Sequence, residues 1–258
     1  MLAYERKSKI IEYLERYGNA EVTAMSNMLG VVPETIRRDL RDFEKKGILV
    51  RTHGGALIKN PKQTEFPVQI REMKNSLQKE KLCKRAAEFI TNDDMIFVDN
   101  SSTLINLIKY IDEKTHVTLL TNSIQLIIES TKYKKDNITI VCTGGIFNKH
   151  NMSLSGVVAG KYSHELFPNK AFVSCHGISS EFGFTDGNFL EVGFKRDMIE
   201  IANEVYFLAD QTKFGKLGPI RLGDFEICDY LITDQTPAGE FISQLKESNP
   251  SLELIIAE

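Results

Sequence analysis

From Met95 onward, short apolar runs recur, each closed by a polar turn and followed by a helical stretch. That alternation restricts the chain to an α/β fold with a mainly parallel sheet. MIFVD (95–99), VTLLT (117–121), ITIVC (138–142), AFVSC (171–175), VYFLAD (205–210) and YLIT (230–233) are predicted strands, and LELIIA predicts a final one. Leu104–Ile111, Gln125–Lys132 and Glu191–Ala202 are predicted helices, preceded by one through Leu82, Ala86 and Phe89. Ligands of open α/β sheets gather beyond the carboxyl ends of the strands. Those ends carry Asp99-Asn-Ser-Ser-Thr103, Thr121-Asn-Ser123, Thr143-Gly-Gly145, His176-Gly177 and Asp210-Gln-Thr-Lys213. Hydroxyls and free backbone N–H groups at helix starts suit a phosphate or a polyol. Lys213 supplies a point charge for phosphate.

The first sixty residues follow a helical period instead. Ile10, Leu14 and Tyr17, with Ile11 alongside, predict a helix over 3–17 ending at Gly18. Val22, Met25, Met28 and Leu29 predict a second helix, ending at Gly30. Pro33 is a good first residue for a third, because its missing N–H would be unpaired there anyway. Ile36, Leu40 and Phe43 form its apolar stripe, and Gly47 stops it. The opposite face carries Glu34, Arg38, Arg41 and Lys45, flanked by Arg37. ILVR and GALI, separated by Thr52, His53 and Gly54, predict two small strands around a turn. A helix with a buried back and a basic front, followed by a hairpin, is a winged helix-turn-helix whose third helix fits a major groove. Thr23, near the start of the second helix, is placed to meet a DNA phosphate. Asp39 lies beside the buried stripe and is expected to pair with an arginine, Arg51 being one candidate.

Residues 59–74, opening on KNPKQTEF, read as a linker between a domain at 1–58 and one at 75–258. Residues 1–60 carry a net charge of +3 and the remainder −6, so the overall −3 hides a basic head on an acidic body. That fits nucleic-acid binding confined to the head. No run approaches the roughly 18 apolar residues that would span a membrane, and the charged N-terminus has no apolar signal core, so a cytoplasmic protein is expected. Cys83, Cys142, Cys175 and Cys228 are widely spaced, which predicts buried reduced thiols with no metal or disulfide role.

The string TIRRDL preceded by V-x-P, then KKGILVRTHGGA, resembles the DNA-binding end of the DeoR family of bacterial sugar-catabolism regulators. The spacing R-x3-N-x3-K at Arg71, Asn75 and Lys79 resembles the entry to that family's sensor domain, where spacing alone predicts a solvated helix face. VDNSST, LTNS, CTGG, SLSG (153–156), AFVSCHGIS, EVGFKRDMI and DQTKFG extend the likeness over nearly the whole chain. The resemblance implies a Rossmann-like sensor domain similar to ribose-5-phosphate isomerase and the coenzyme A transferases, binding phosphorylated sugars. It places the phosphate loop on Ser101, Ser102 and Thr103 and the lysine on Lys213. Asp99, Asn122, Gly145, His176, Glu191 and Lys195 fall at or near the implied pocket. Three positions depart from the family pattern. Val32 replaces a serine that would cap the third helix, Ser101 replaces a glycine of the phosphate loop, and His176 replaces an aspartate.

The expected function is a transcriptional regulator, a repressor of a sugar-catabolic operon released from operator DNA by a phosphorylated sugar. Arg37 and Arg38 are expected to contact bases or flanking phosphates, with Thr35 and Arg41 assisting and Arg51 and His53 reaching DNA from the wing. A homodimer or homotetramer is expected, with no cofactor, metal or membrane. The rival is a sugar-phosphate isomerase or coenzyme A transferase with a regulatory head, for which Asp99, Asp186, Glu191 and Lys213 are raw material. No paired acidic motif of the isomerase kind accompanies them. A winged helix serving protein contacts alone is disfavoured by three arginines on its outer face.

Overall fold

The computed structural model describes residues 1–58, 66–157, 159–160 and 165–258. It divides into two compact units, Met1–Asn75 and Ser76–Glu258.

The first unit contains α1 (Ala3–Tyr17), β1 (Asn19–Glu21), α2 (Val22–Leu29), α3 (Pro33–Lys45), β2 (Leu49–Arg51), β3 (Gly55–Ile58) and α4 (Val68–Arg71). Ile10, Ile11, Leu14, Met25, Ile36, Leu40 and Phe43 make one apolar core, and Phe43 alone contributes about 1.5–3 kcal/mol by leaving water. Val32 caps α3 with no side-chain hydrogen bond, as its chemistry requires. At the other end Gly47, at φ 74°, reverses the chain, with its N–H on Glu44 O and that of Ile48 on Phe43 O. The wing is antiparallel, and β1, which the sequence reading passed over, adds a third strand in the order β1-β3-β2. Gly55 permits that pairing, since a Cβ there would lie 2.1 Å from Ala20 O. The linker expected over 59–74 takes a different form. Residues 59–65 lie outside the described residues, while Val68–Arg71 is a helix whose Ile70 joins the core of this unit.

In the second unit α5 (Ser76–Ala87) leads into a sheet of seven parallel strands. These are β4 (Met95–Val98), β5 (Val117–Thr121), β6 (Ile138–Cys142), β9 (Lys170–Val173), β12 (Glu204–Leu208), β14 (Tyr230–Thr233) and β15 (Glu253–Ile256). Their order is β15-β14-β12-β9-β4-β5-β6. The chain therefore runs outward from β4 to β6, then returns to the other side of β4 and runs outward again. Strand order reverses between β4 and β9, which opens a crevice beyond their carboxyl ends. Apolar layers cover both faces of the sheet, one around Phe97, Phe184 and Phe207, the other around Ile96, Phe172 and Tyr206.

The helices on those layers include α6 (Leu107–Tyr110), α7 (Ile124–Ser130), α8 (Phe189–Ile201) and α9 (Gly239–Ser248). The helix predicted over 104–111 is thus shorter at both ends, its approach being a series of turns. Two additions were not read from the sequence: a ribbon of β7 (Ile146–Asn148) and β8 (Ser153–Ser155), and an antiparallel sheet of β10 (Gly177–Ser179), β11 (Gly183–Asp186) and β13 (Ile220–Gly223). All four cysteines are free thiols; Cys83, Cys175 and Cys228 are buried as expected, but Cys142 is exposed at the end of edge strand β6.

Candidate DNA-reading face and candidate effector site

On α3, burial of Ile36, Leu40 and Phe43 turns Glu34, Arg37, Arg38, Arg41 and Lys45 to solvent. Glu34 lies 3.3 Å from Arg37 and 3.8 Å from Arg41, while Arg38 has no partner among the described residues. Thr35 is half-buried, and Thr23 is exposed at the second position of α2. His53 is exposed in the turn of the wing. Arg51, half-buried, approaches Glu44 to 3.8 Å. Asp39 does pair with an arginine, but with Arg6 of α1 rather than Arg51: Oδ2 accepts from Nε at 2.6 Å and Oδ1 from Nη2 at 3.3 Å. Sequence distance hid this partner, 33 residues away.

In the second unit the reversal between β4 and β9 juxtaposes Asp99 and Ser174. The Asp99 carboxylate accepts from the N–H groups of Ser101 at 2.9 Å and Ser174 at 3.0 Å. Its Oδ2 also lies 2.8 Å from Lys195 Nζ, which reaches Asp186 Oδ2 at 2.6 Å and Ser174 O at 2.9 Å. Burial opposes the Lys195 charge, but Asp186 and then Asp99 outweigh it and hold the ammonium well above the ordinary lysine range. On sequence grounds Asp186 is raw material for the rival enzyme; in the structure it is an ion-pair partner of Lys195. Lys79, expected on a solvated face, is 4% exposed, and its Nζ donates to Ser102 Oγ at 3.0 Å. The repeat of Arg71, Asn75 and Lys79 was the signal available for it.

The loop after β4 is anchored rather than open. Ser101 sits outside the left-handed region, so its Cβ in place of a family glycine meets no backbone obstacle. Its hydroxyl is buried without a hydrogen-bond partner among the described residues. Thr103 Oγ1 lies 3.3 Å from Ser174 Oγ, and Thr103 O accepts from Cys83. Burial pushes the thiols of Cys83 and Cys175 up to about 12, so both stay protonated at neutral pH. After β5, Asn122 donates to Leu154 O at 3.2 Å, while its buried Oδ1 has no donor. Gly145, at φ 120°, packs where a Cβ would come 2.6 Å from Ser155 O.

Glu191, in the first turn of α8, is the most heavily bonded group of the set. Its carboxylate accepts from Asn100 at 2.9 Å, Asn148 at 3.2 Å, Asn151 at 2.9 and 3.1 Å, and Ser153 at 2.5 Å. Those donors come from the β4 loop and the β7–β8 ribbon, and only the ribbon's geometry reveals them. His176 is half-buried, with its N–H on Thr185 O. Lys213 is half-buried on the turn after β12, its N–H donates to Asp210 O at 2.9 Å, and its ammonium has no hydrogen-bond or ion-pair partner among the described residues. Burial would raise the pKa of neighbouring Asp210, but Lys213 and the Thr212 hydrogen bonds outweigh it, so the carboxyl lies below its usual range. Among the described residues no group of His, Cys, Asp and Glu could hold a metal ion, and no helix is long and apolar enough to cross a membrane.

A winged helix-turn-helix with a cationic helix, combined with a parallel-sheet unit whose polar groups meet at a strand-order reversal, defines a DNA-binding regulator with a sensor domain. Residues 6–62 match the DeoR-like helix-turn-helix domain and residues 74–235 the DeoR C terminal sensor domain; the chain belongs to the DeoR family. It is 32% identical over 234 residues to the uncharacterized HTH-type transcriptional regulator YulB of Bacillus subtilis, covering 91% of this chain and 90% of that protein. Identity to the HTH-type transcriptional regulator GolR of Listeria innocua is 31%, covering 91% of each chain. The glycerol-3-phosphate regulon repressor of Escherichia coli K12 is 24% identical, covering 97% of this chain and 98% of that one. A solved ribose 5-phosphate isomerase from Methanocaldococcus jannaschii overlaps 54% of this chain and 55% of its own, at 17% identity and a TM-score of 0.40, too partial a likeness to bear on fold or activity. The chain is a DNA-binding transcriptional regulator and not an enzyme.

Proposed function

We propose that this regulator is a cytoplasmic repressor of a sugar-catabolic operon, and that it leaves its operator when a phosphorylated sugar binds at the strand ends, without a cofactor. The observation that carries the reading is unspent anion-binding capacity on one sheet edge. Among the described residues the N–H groups of Ser102 and Thr103 donate to nothing, and the Lys213 ammonium has no hydrogen-bond or ion-pair partner. N–H groups at the start of a turn and a point charge together suit phosphate. Asn122 and His176 on neighbouring strand ends suit hydroxyls. One relative, the glycerol-3-phosphate regulon repressor of Escherichia coli K12, is named for a phosphorylated polyol.

On the DNA side, Arg37, Arg38 and Arg41 with Thr35 read the major groove, Arg51 and His53 approach from the wing, and Thr23 meets a phosphate. A homodimer or homotetramer sets two recognition helices in symmetric half-sites. Release requires the sugar phosphate to bind the low-affinity state more tightly than the DNA-bound one.

Fluorescence anisotropy on labelled DNA from upstream of its own gene, at fixed salt, tests the reading against a panel of sugars and their phosphates. One phosphorylated compound is expected to release the DNA while its unphosphorylated counterpart does not. Equal release by both would remove the phosphate from the proposal, and tighter binding with the phosphate would overturn release by the effector.

A further inference from the structure

We infer that the Arg6–Asp39 ion pair positions the recognition helix and so sets sequence discrimination, although neither residue faces DNA. The core under α3 consists of Ile36, Leu40 and Phe43, and apolar burial is not directional. It holds α3 in place but does little to resist a small rotation about the helix axis or a small slide along it. Bidentate guanidinium–carboxylate geometry is directional. Asp39 is 1% exposed and takes both Nε and Nη2 of Arg6, which fixes the rotation of α3 against α1 at that turn. One turn further, Asp42 Oδ2 accepts from Lys7 Nζ at 2.8 Å. Two consecutive residues of α1 thereby grip two successive turns of α3, and the slide is fixed as well.

Arg38 immediately precedes Asp39 in the chain, so the rotation that the pair sets is the one that aims Arg38. A bidentate contact to a guanine edge tolerates little error in that aim. Contacts to phosphates, which dominate binding to random DNA, tolerate more. The pair is therefore a positioning device whose loss lowers discrimination between sequences while leaving non-specific binding intact. This inference concerns the DNA-binding unit alone and stands apart from the identity of the effector.

The test compares wild type with an apolar pair, Arg6→Met with Asp39→Leu, in the full chain. Such replacements of a buried ion pair commonly keep stability, which separates positioning from mere support. A duplex enriched by the wild-type protein from a randomised pool and an unselected duplex are titrated side by side across a salt series. The expected result is an unchanged melting temperature, unchanged affinity and salt slope on the unselected duplex, and a ratio of affinities at least about tenfold lower. An unchanged ratio in the folded variant would overturn the inference, as would failure of the wild-type protein to enrich any sequence. If the apolar pair does not fold, Arg6→Lys decides, because it keeps the charge and loses the fork. A reduced ratio at wild-type melting temperature then supports positioning, and an unchanged ratio refutes it.

Discussion

Arg37, Arg38, Arg41 and Lys45 lie on the surface of α3, whereas Lys79 and Lys195 at the strand ends of the sheet unit are buried and bonded. The contrast follows from what each face has to hold. A polyanion arrives with its own condensed counterions, and exposed cations replace them at the surface without first being dehydrated. A small ligand in a crevice gains little from mobile charge, so donors there have to be fixed in advance. Lys195 is held by Asp99, Asp186 and Ser174 O, whereas the Lys213 ammonium has no hydrogen bond or ion pair among the described residues. Charges of the first kind govern affinity and are screened by salt; those of the second govern stability and are screened much less.

Substitutions can break this comparison at both ends. The largest effect is expected from Lys195→Met, which leaves Asp99 and Asp186 without the ammonium that both bind. Breaking a buried pair this way costs about 3–5 kcal/mol, so the first thermal transition should fall by roughly 6–20 °C. A melt within 2 °C of wild type, at about the scale of 1 kcal/mol, would show that the cluster is not structural. Next comes Arg38→Ala, expected to weaken operator binding roughly tenfold to a hundredfold, as loss of one bidentate base contact would, without changing the melting temperature. Calorimetry and anisotropy on the same sample check it, and unchanged affinity would remove Arg38 from the interface. Smallest is Glu34→Gln, which frees Arg37 and Arg41 from exposed pairs of the kind worth at most about 1 kcal/mol. Binding to random DNA should tighten by no more than about fivefold, and the gain should vanish at high salt.

How much the sequence disclosed depended on the length and contrast of each signal. Parallel strands inside a covered sheet are near-continuous apolar runs, so β5 and β14 were legible to the residue, and edge strand β6 was too because it keeps such a run at partial burial. The strands β1, β10 and β11, with three, three and four residues, each hold one apolar residue between polar ones or glycine, so no apolar run of the β14 kind marks them. For the candidate site, the strand ends were readable because ligand crevices have a fixed place in such sheets. The bonding within the crevice was not. Asn148, Asn151 and Ser153 reach Glu191 only because the ribbon folds over α8, and Arg6 finds Asp39 across 33 residues. Lys79 looked solvated because a lysine on a helix usually is; its burial depends on a serine hydroxyl 23 residues away.

The shared carboxylate of Glu191 has a consequence for how such a regulator diversifies. Side chains on the outer face of α3 make no contact with the core, so one substitution at a time can shift which DNA is recognised while the protein stays folded. Around Glu191, by contrast, Asn100, Asn148, Asn151 and Ser153 all depend on one acceptor. Replacing Glu191 strands all four donors at once, so a change at this acceptor requires several concerted changes. Descendants of such a chain should vary readily on the outer face of α3 and seldom around Glu191.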